Sequence, residues 1–147
     1  MIDRLAMDAE AVIANAHEAA KSIGRDGLDS AGLLLGMLVT EFSPAAKTLA
    51  AQGVSAAAVR DLIAARWPLP ERPVMPGVLP LTDEIITILS DAQKLAHYSG
   101  SETLGSGHLL LALVRLRESL GAQLLWSCVA DLGALEAAVE AKFGNAP

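Results

Sequence analysis

The sequence predicts an all-α protein made of two tandem four-helix repeats, eight helices related by a pseudo-twofold axis. Composition is one reason. The 147 residues are 52% hydrophobic yet only 3% aromatic, so the core is built from Ala, Leu, Val and Ile. Ala and Leu are strong helix formers, and no β-branched or aromatic run of strand length occurs. Duplication is the other reason. Residues 33–67 lie over 109–143 without a gap, so that Leu33, Leu34 and Leu35 match Leu109, Leu110 and Leu111. Further along, Leu49 matches Leu125, Val59 matches Leu135, Ile63 matches Val139 and Trp67 matches Phe143. Each unit's apolar face is too large to bury alone, so the two units are expected to share a core.

The elements follow in order. Ile2, Leu5, Ala9, Val12, Ile13, Ala16, Ala20 and Ile23 are spaced by threes and fours, one face of a helix over 2–23 closed by Gly24 and Gly27. Ser30 reads as the N-cap of a helix over 31–40 that is apolar all round and therefore central. Pro44 after Ser43 suits the first position of a third helix, which Gly53 ends, and Ser55 caps a fourth running through Arg66. Five prolines and a glycine within 67–80 exclude a helix and predict an extended linker. Thr82, followed by Asp83 and Glu84, opens a fifth helix whose acids suit the positive end of its dipole. Its apolar face is Ile85, Ile88, Leu89, Ala92, Leu95 and Ala96. The stretch YSGSETLGSG breaks it, 107–117 repeats the central helix, and helices over 119–129 and 132–143 complete the second unit. One domain spans 1–147, with repeat one at 1–66, the linker at 67–80 and repeat two at 81–143.

Several function classes are disfavoured. The formal net charge is −6, and the cations Lys21, Arg25, Lys47, Arg60, Arg115 and Arg117 are scattered, whereas nucleic-acid binding needs clustered charge. Mean hydropathy is high at +0.41. Even so, the apolar runs 33–39 and 109–114 fall far short of the roughly 18–20 residues of a membrane span. The acids in the opening MIDRLAMDAE leave no signal-peptide core. The lone Cys128 excludes an intrachain disulfide and fits a reducing cytosol, and its apolar setting suits an inert thiol. No Cys/His/carboxylate cluster has metal-ligand spacing, no G-x-S-x-G occurs, and no cofactor motif is present. The residues give no sign of an enzyme. His17 reads as a solvated helix-face residue, His97 as a C-terminal cap, and His108 as a hydrogen-bonded packing residue in the first turn of the second central helix.

The repeated pattern of a helix, a serine before an LLL-rich helix, a short helix and a Val/Ile-rich helix, given twice around a Pro-rich linker ending in LT, resembles the Clp chaperone N-terminal domain family. The likeness covers almost the whole chain, from MIDRLAMDAEAVIANAHEAA to AQKLAH and GSGHLLLALV. It implies a helical module that captures adaptors or unfolding substrates for a protein-unfolding ATPase. No G-x-x-x-x-G-K-[ST] loop occurs, so the chain itself is not that ATPase. It is expected to be a free-standing relative or an excised module. In the family a Gly-Thr-Glu-His run precedes each central helix. Here Ala31 and Gly107 stand at the glutamate positions, so the phosphoarginine binding seen in some relatives is not expected. The second repeat is also expected to carry a longer surface loop between His97 and His108.

The resemblance further implies that the starts of the first and fifth helices lie together as an apolar, peptide-taking patch. The matching residues are Ile2, Leu5, Leu81, Ile85 and Ile86. Glu10 and Ile86 stand where relatives often carry basic residues. The expected partner is a protein or peptide: a Clp adaptor, a substrate or the unfoldase itself. A second expectation is a regulatory protein that competes for adaptors or sequesters a toxic cyclic peptide.

Overall fold

The computed structural model describes residues 5–67, 79–129 and 131–143. Eight helices occur among them: α1 (Met7–Ser22), α2 (Ser30–Val39), α3 (Pro44–Ala51), α4 (Ala56–Arg66), α5 (Asp83–Tyr98), α6 (Ser106–Arg115), α7 (Leu120–Cys128) and α8 (Leu132–Phe143). Local chemistry sets most boundaries. Ser43, Ser55, Thr82 and Ser119 each accept a backbone N–H three residues on, capping α3, α4, α5 and α7. Gly24 and Gly100 end α1 and α5 with φ of 76° and 79°, a left-handed turn that a side chain would strain.

Three sequence expectations change. The first helix starts at Met7 rather than at residue 2, because Leu5 and Ala6 are extended and Ala6 donates to Leu104 O. Asp29, not Ser30, is the N-cap of α2, its carboxylate accepting from Gly32 N at 3.1 Å. The stretch before α6 is no insertion between the repeats, since Gly24–Leu28 and Gly100–Leu104 hold equivalent positions in the two halves. Most of the expected linker, 68–78, lies outside the described residues.

α2 and α6 form the centre. Leu33, Leu34, Leu35 and Met37 of α2 are buried, and so are Leu109 to Val114 of α6. The one core they organise draws side chains from both repeats, among them Val12, Val59, Ile63, Ile85, Ile88, Leu125, Leu135 and Val139. α1 approaches α2 so closely that a Cβ at Gly36 would lie 2.7 Å from the Ala16 backbone. The equivalent position in the second repeat is Ala112, which shares a cleft with Asp91, Lys94 and Leu95 of α5.

The repeats interlock rather than abut. Ser30 Oγ, at the start of α2, accepts from Gly121 N at the start of α7 (2.6 Å). Ser106 Oγ, at the start of α6, accepts from Ala45 N in α3 (3.3 Å). These two bonds are equivalent in the duplicated numbering, and they require α2 and α6 to run antiparallel, each beginning where the other ends. Both hydroxyls are fully buried, so each satisfies an amide of the opposite repeat that water cannot reach.

Candidate functional site

The segments that lead into α1 and α5 are exchanged between the repeats. Leu5 pairs with Leu104 in an isolated parallel bridge, and Leu81 pairs with Leu28 in the same way. Ala6 N–H donates to Leu104 O at 2.9 Å, and Thr82 N–H to Leu28 O at 3.1 Å. Each edge therefore belongs to the repeat that does not contain it in sequence.

Carboxylates fix these edges. Asp8, in the first turn of α1, accepts from Ser106 N at 2.9 Å and so caps α6. Glu84, its equivalent in α5, accepts from Ser30 N at 2.7 Å and from Leu120 N at 2.9 Å, capping α2 and α7 together. The equivalent of Leu120 in repeat one is Pro44, which has no N–H to offer. The two edges thus share a template but differ in strength. In the sequence Glu84 shows only as a complement to the dipole of α5. The signal that could have found its role is the recurrence of an acid, Asp8 and Glu84, at the repeat spacing.

The expected site residues divide. Leu5 is 38% exposed, Leu81 45% and Ile86 52%, and these three present apolar surface at the edges just described. Ile85 is 1% exposed and belongs to the core, because the turn of α5 that points Ile86 outward points its neighbour inward. It cannot line a groove, which corrects that assignment. Ile2 lies outside the described residues. Leu5 and Leu81 sit at the N-terminal ends of α6 and α2 respectively, so the apolar surface consists of two equivalent rims.

The glutamate positions of the resembled family are closed. Ala31 is buried, and a Cβ at Gly107 would strike the Phe143 ring. Gly107→Glu is therefore expected to displace Phe143 and cost about 1–3 kcal/mol, measured by urea unfolding, with no gain in binding of phosphoarginine by calorimetry.

Two histidines are engaged. His17 Nδ1 accepts from Leu79 N at 3.3 Å, a partner just ahead of α5, so it is not simply solvated. Burial first, and then the Lys21 charge, lower its pKa. His108 Nδ1 accepts from Gly105 N at 3.0 Å and completes the N-terminal turn of α6. Burial lowers its pKa from 6.5 against an opposing pull from Asp8. The folded state therefore favours the neutral ring. The stability this contributes is complete above about pH 6.5 and is lost as pH falls from there toward the lower folded pKa. Chemical denaturation at a series of pH values should show that decline, and His108→Gln should flatten it.

A cleft of about 260 Å³ between α5 and α6 is lined by Asp91, Lys94, Leu95, Ala112 and Arg115. It is smaller than ordinary small-molecule sites. No group of three or more His, Cys, Asp or Glu able to hold a metal ion occurs among the described residues. No single helix among them is long and apolar enough to cross a membrane.

Residues 80–147 match the family of the Clp repeat (R) N-terminal domain. The whole chain has the corresponding fold: it superposes on the N-terminal domain of the chaperone ClpD from Arabidopsis thaliana with a TM-score of 0.81 at 16% identity, covering 99% of this chain and 97% of that one. The chain thus has the Clp N-terminal domain fold throughout, with the family match itself falling on its second repeat. The N-domain of ClpV from Vibrio cholerae is also similar, with a TM-score of 0.71 at 15% identity over 99% of this chain and 88% of that one. A ClpV N-domain in complex with a VipB peptide gives 0.68 at 16% identity over 95% and 86%. Within the Clp N fold, the exchanged edges and their carboxylate caps are what set Leu5, Leu81 and Ile86 at the surface of this chain.

Proposed function

We propose that this chain is a non-enzymatic module that binds a peptide or protein segment through the apolar rims at the starts of α1 and α5. The observation that carries the reading is the exposure of Leu5, Leu81 and Ile86 on backbone that Asp8 and Glu84 hold rigid. A surface that keeps large apolar side chains out of an otherwise well-filled core, on a preorganised frame, suits docking of a helix or extended segment. That a ClpV N-domain of the same fold forms a complex with a VipB peptide supports peptide binding as the role of such a module. The natural partner would be an adaptor or substrate of a Clp-type unfoldase.

Affinity arises from burial of apolar area at about 25 cal/mol per Å², less the ordering cost of the peptide. It should be modest and nearly independent of salt, because Glu10 and Ile86 leave these rims without the family's basic residues.

Panning a random peptide library tests this. The wild type is expected to enrich apolar peptides that no longer bind Leu81→Asp or Ile86→Asp, while both variants keep the wild-type helical circular dichroism and melting temperature. Ile85→Asp, by contrast, should unfold the domain by burying a charge in the core. Folded Leu81→Asp and Ile86→Asp proteins that retain the enriched peptides would overturn the reading.

A further inference from the structure

The two rims are held unequally, and the difference centres on one ionisable ring. At the α5 rim, Thr82 caps its own helix and donates to Leu28 O, and Glu84 caps two helices. At the α1 rim, Ala6 supplies no side-chain cap and Asp8 caps α6 alone. His108 secures this end instead. The equivalent residue in repeat one is Gly32, whose N–H is taken by the Asp29 carboxylate, so no imidazole caps the start of α2; the histidine nearest the α5 rim, His17, accepts instead from Leu79 N, ahead of the Leu28–Leu81 bridge.

Geometry fixes the state of the ring. A backbone amide can only donate, so the Gly105 N–H bond requires a bare Nδ1 and places the ring proton on Nε2. That nitrogen lies 3.4 Å from Ser99 Oγ, which itself donates to Ala96 O. A second proton would turn Nδ1 into a donor facing a donor. Among the charged groups of the elements packed on α6, which include His97 at the end of α5, Glu102 in the loop after it, and Glu140, paired with Arg115, on α8, the one that reaches the ring is Asp8 of α1. A Cβ built on Gly105 would lie 3.8 Å from both Asp8 Oδ2 and His108 Nδ1, so the carboxylate and the ring flank the same side of Gly105 without being paired.

We propose that protonation of His108 exchanges its bond with Gly105 for an ion pair with Asp8, uncaps the Gly105 and Ser106 amides, and loosens the Leu5–Leu104 edge, so that one end of the docking surface is gated by pH. The consequence for docking rests on the binding reading above; the switch itself rests on the caps. At the α5 rim the Leu28–Leu81 pairing is held by Thr82 and Glu84 rather than by an imidazole, His17 reaching only Leu79 before it, so Leu28 and Thr82 serve as the reference.

Amide hydrogen exchange tests the switch without any ligand. As pH falls from about 7.5 through the lowered midpoint of the His108 ring, protection at Gly105, Ser106 and Ala6 should fall roughly tenfold relative to Leu28 and Thr82, as loss of an N-terminal cap implies. The NMR titration of the wild-type His108 ring should share that midpoint. In His108→Gln the ratio should stay flat, because the amide oxygen of Gln accepts from Gly105 at any pH. A constant ratio in the wild type, an unchanged fall in His108→Gln, or a ring midpoint away from the exchange transition would each overturn the proposal. The two readings fail separately. If the exchange switch occurs while a panned peptide keeps its affinity across that range, the switch stands and docking at Leu5 falls. If peptide binding maps to Leu5 with no exchange switch, docking stands and the gate falls.

Discussion

Truncating Leu34 or Leu110 to alanine is expected to destabilise the fold by about 2–5 kcal/mol, the sum of lost transfer energy and the cavity left behind. Both side chains are fully buried in the central antiparallel pair. Each contacts a core shared by the two repeats, so neither half can collapse around the gap without disturbing the other. Because the positions are equivalent by duplication, the two losses should be similar. Urea denaturation followed by far-UV circular dichroism measures both. A loss under about 1 kcal/mol at either site would mean that the repeats do not share one core.

Glu84→Ala should cost nearly as much, about 2–4 kcal/mol, since it removes the acceptor for two helix-start amides at once. Ser30, whose amide is one of them, is fully buried, so water offers no substitute. Asp8→Ala should cost about 1 kcal/mol, because Asp8 caps a single amide. Glu84→Gln should fall between wild type and Glu84→Ala, as one amide oxygen can serve only part of the pair. The ordering Glu84→Ala above Asp8→Ala is the informative result. Equal losses would show that Glu84 does not bridge α2 and α7.

Much of this architecture is legible in the sequence, and the physical reasons are specific. Helix type and number follow from Ala and Leu content together with the match of Leu33–Leu35 to Leu109–Leu111. Burial of α2 and α6 follows from their all-round apolarity. Serine and threonine caps at Ser43, Ser55 and Thr82 were readable because a cap acts within three residues of itself. The misread features are those settled by distant contacts. Ser30 resembles a cap, yet its hydroxyl serves Gly121 and leaves capping to Asp29. Leu5 continues the helical spacing of α1, but pairing with Leu104 holds it extended. The helical spacing already sets Ile85 on the apolar face with Ile88 and Ala92 and leaves Ile86 off it, and burial follows that spacing; only the resemblance placed Ile85 in the groove. His17 reads as solvated in the sequence because its partner, Leu79, lies 62 residues away at the end of the proline-rich stretch.

The same division applies to the candidate surface. Apolar residues at the two helix starts are visible in the chain, whereas the exchange that holds them rigid is a property of the folded dyad. The most direct test is methyl NMR of wild-type protein, with Leu and Ile methyls labelled, titrated with a peptide enriched by panning. Shifts are expected at Leu5, Leu81 and Ile86, with Leu34, Ile85 and Leu110 unmoved. Shifts concentrated at Leu95 beside the α5–α6 cleft, with Leu5, Leu81 and Ile86 silent, would contradict the account.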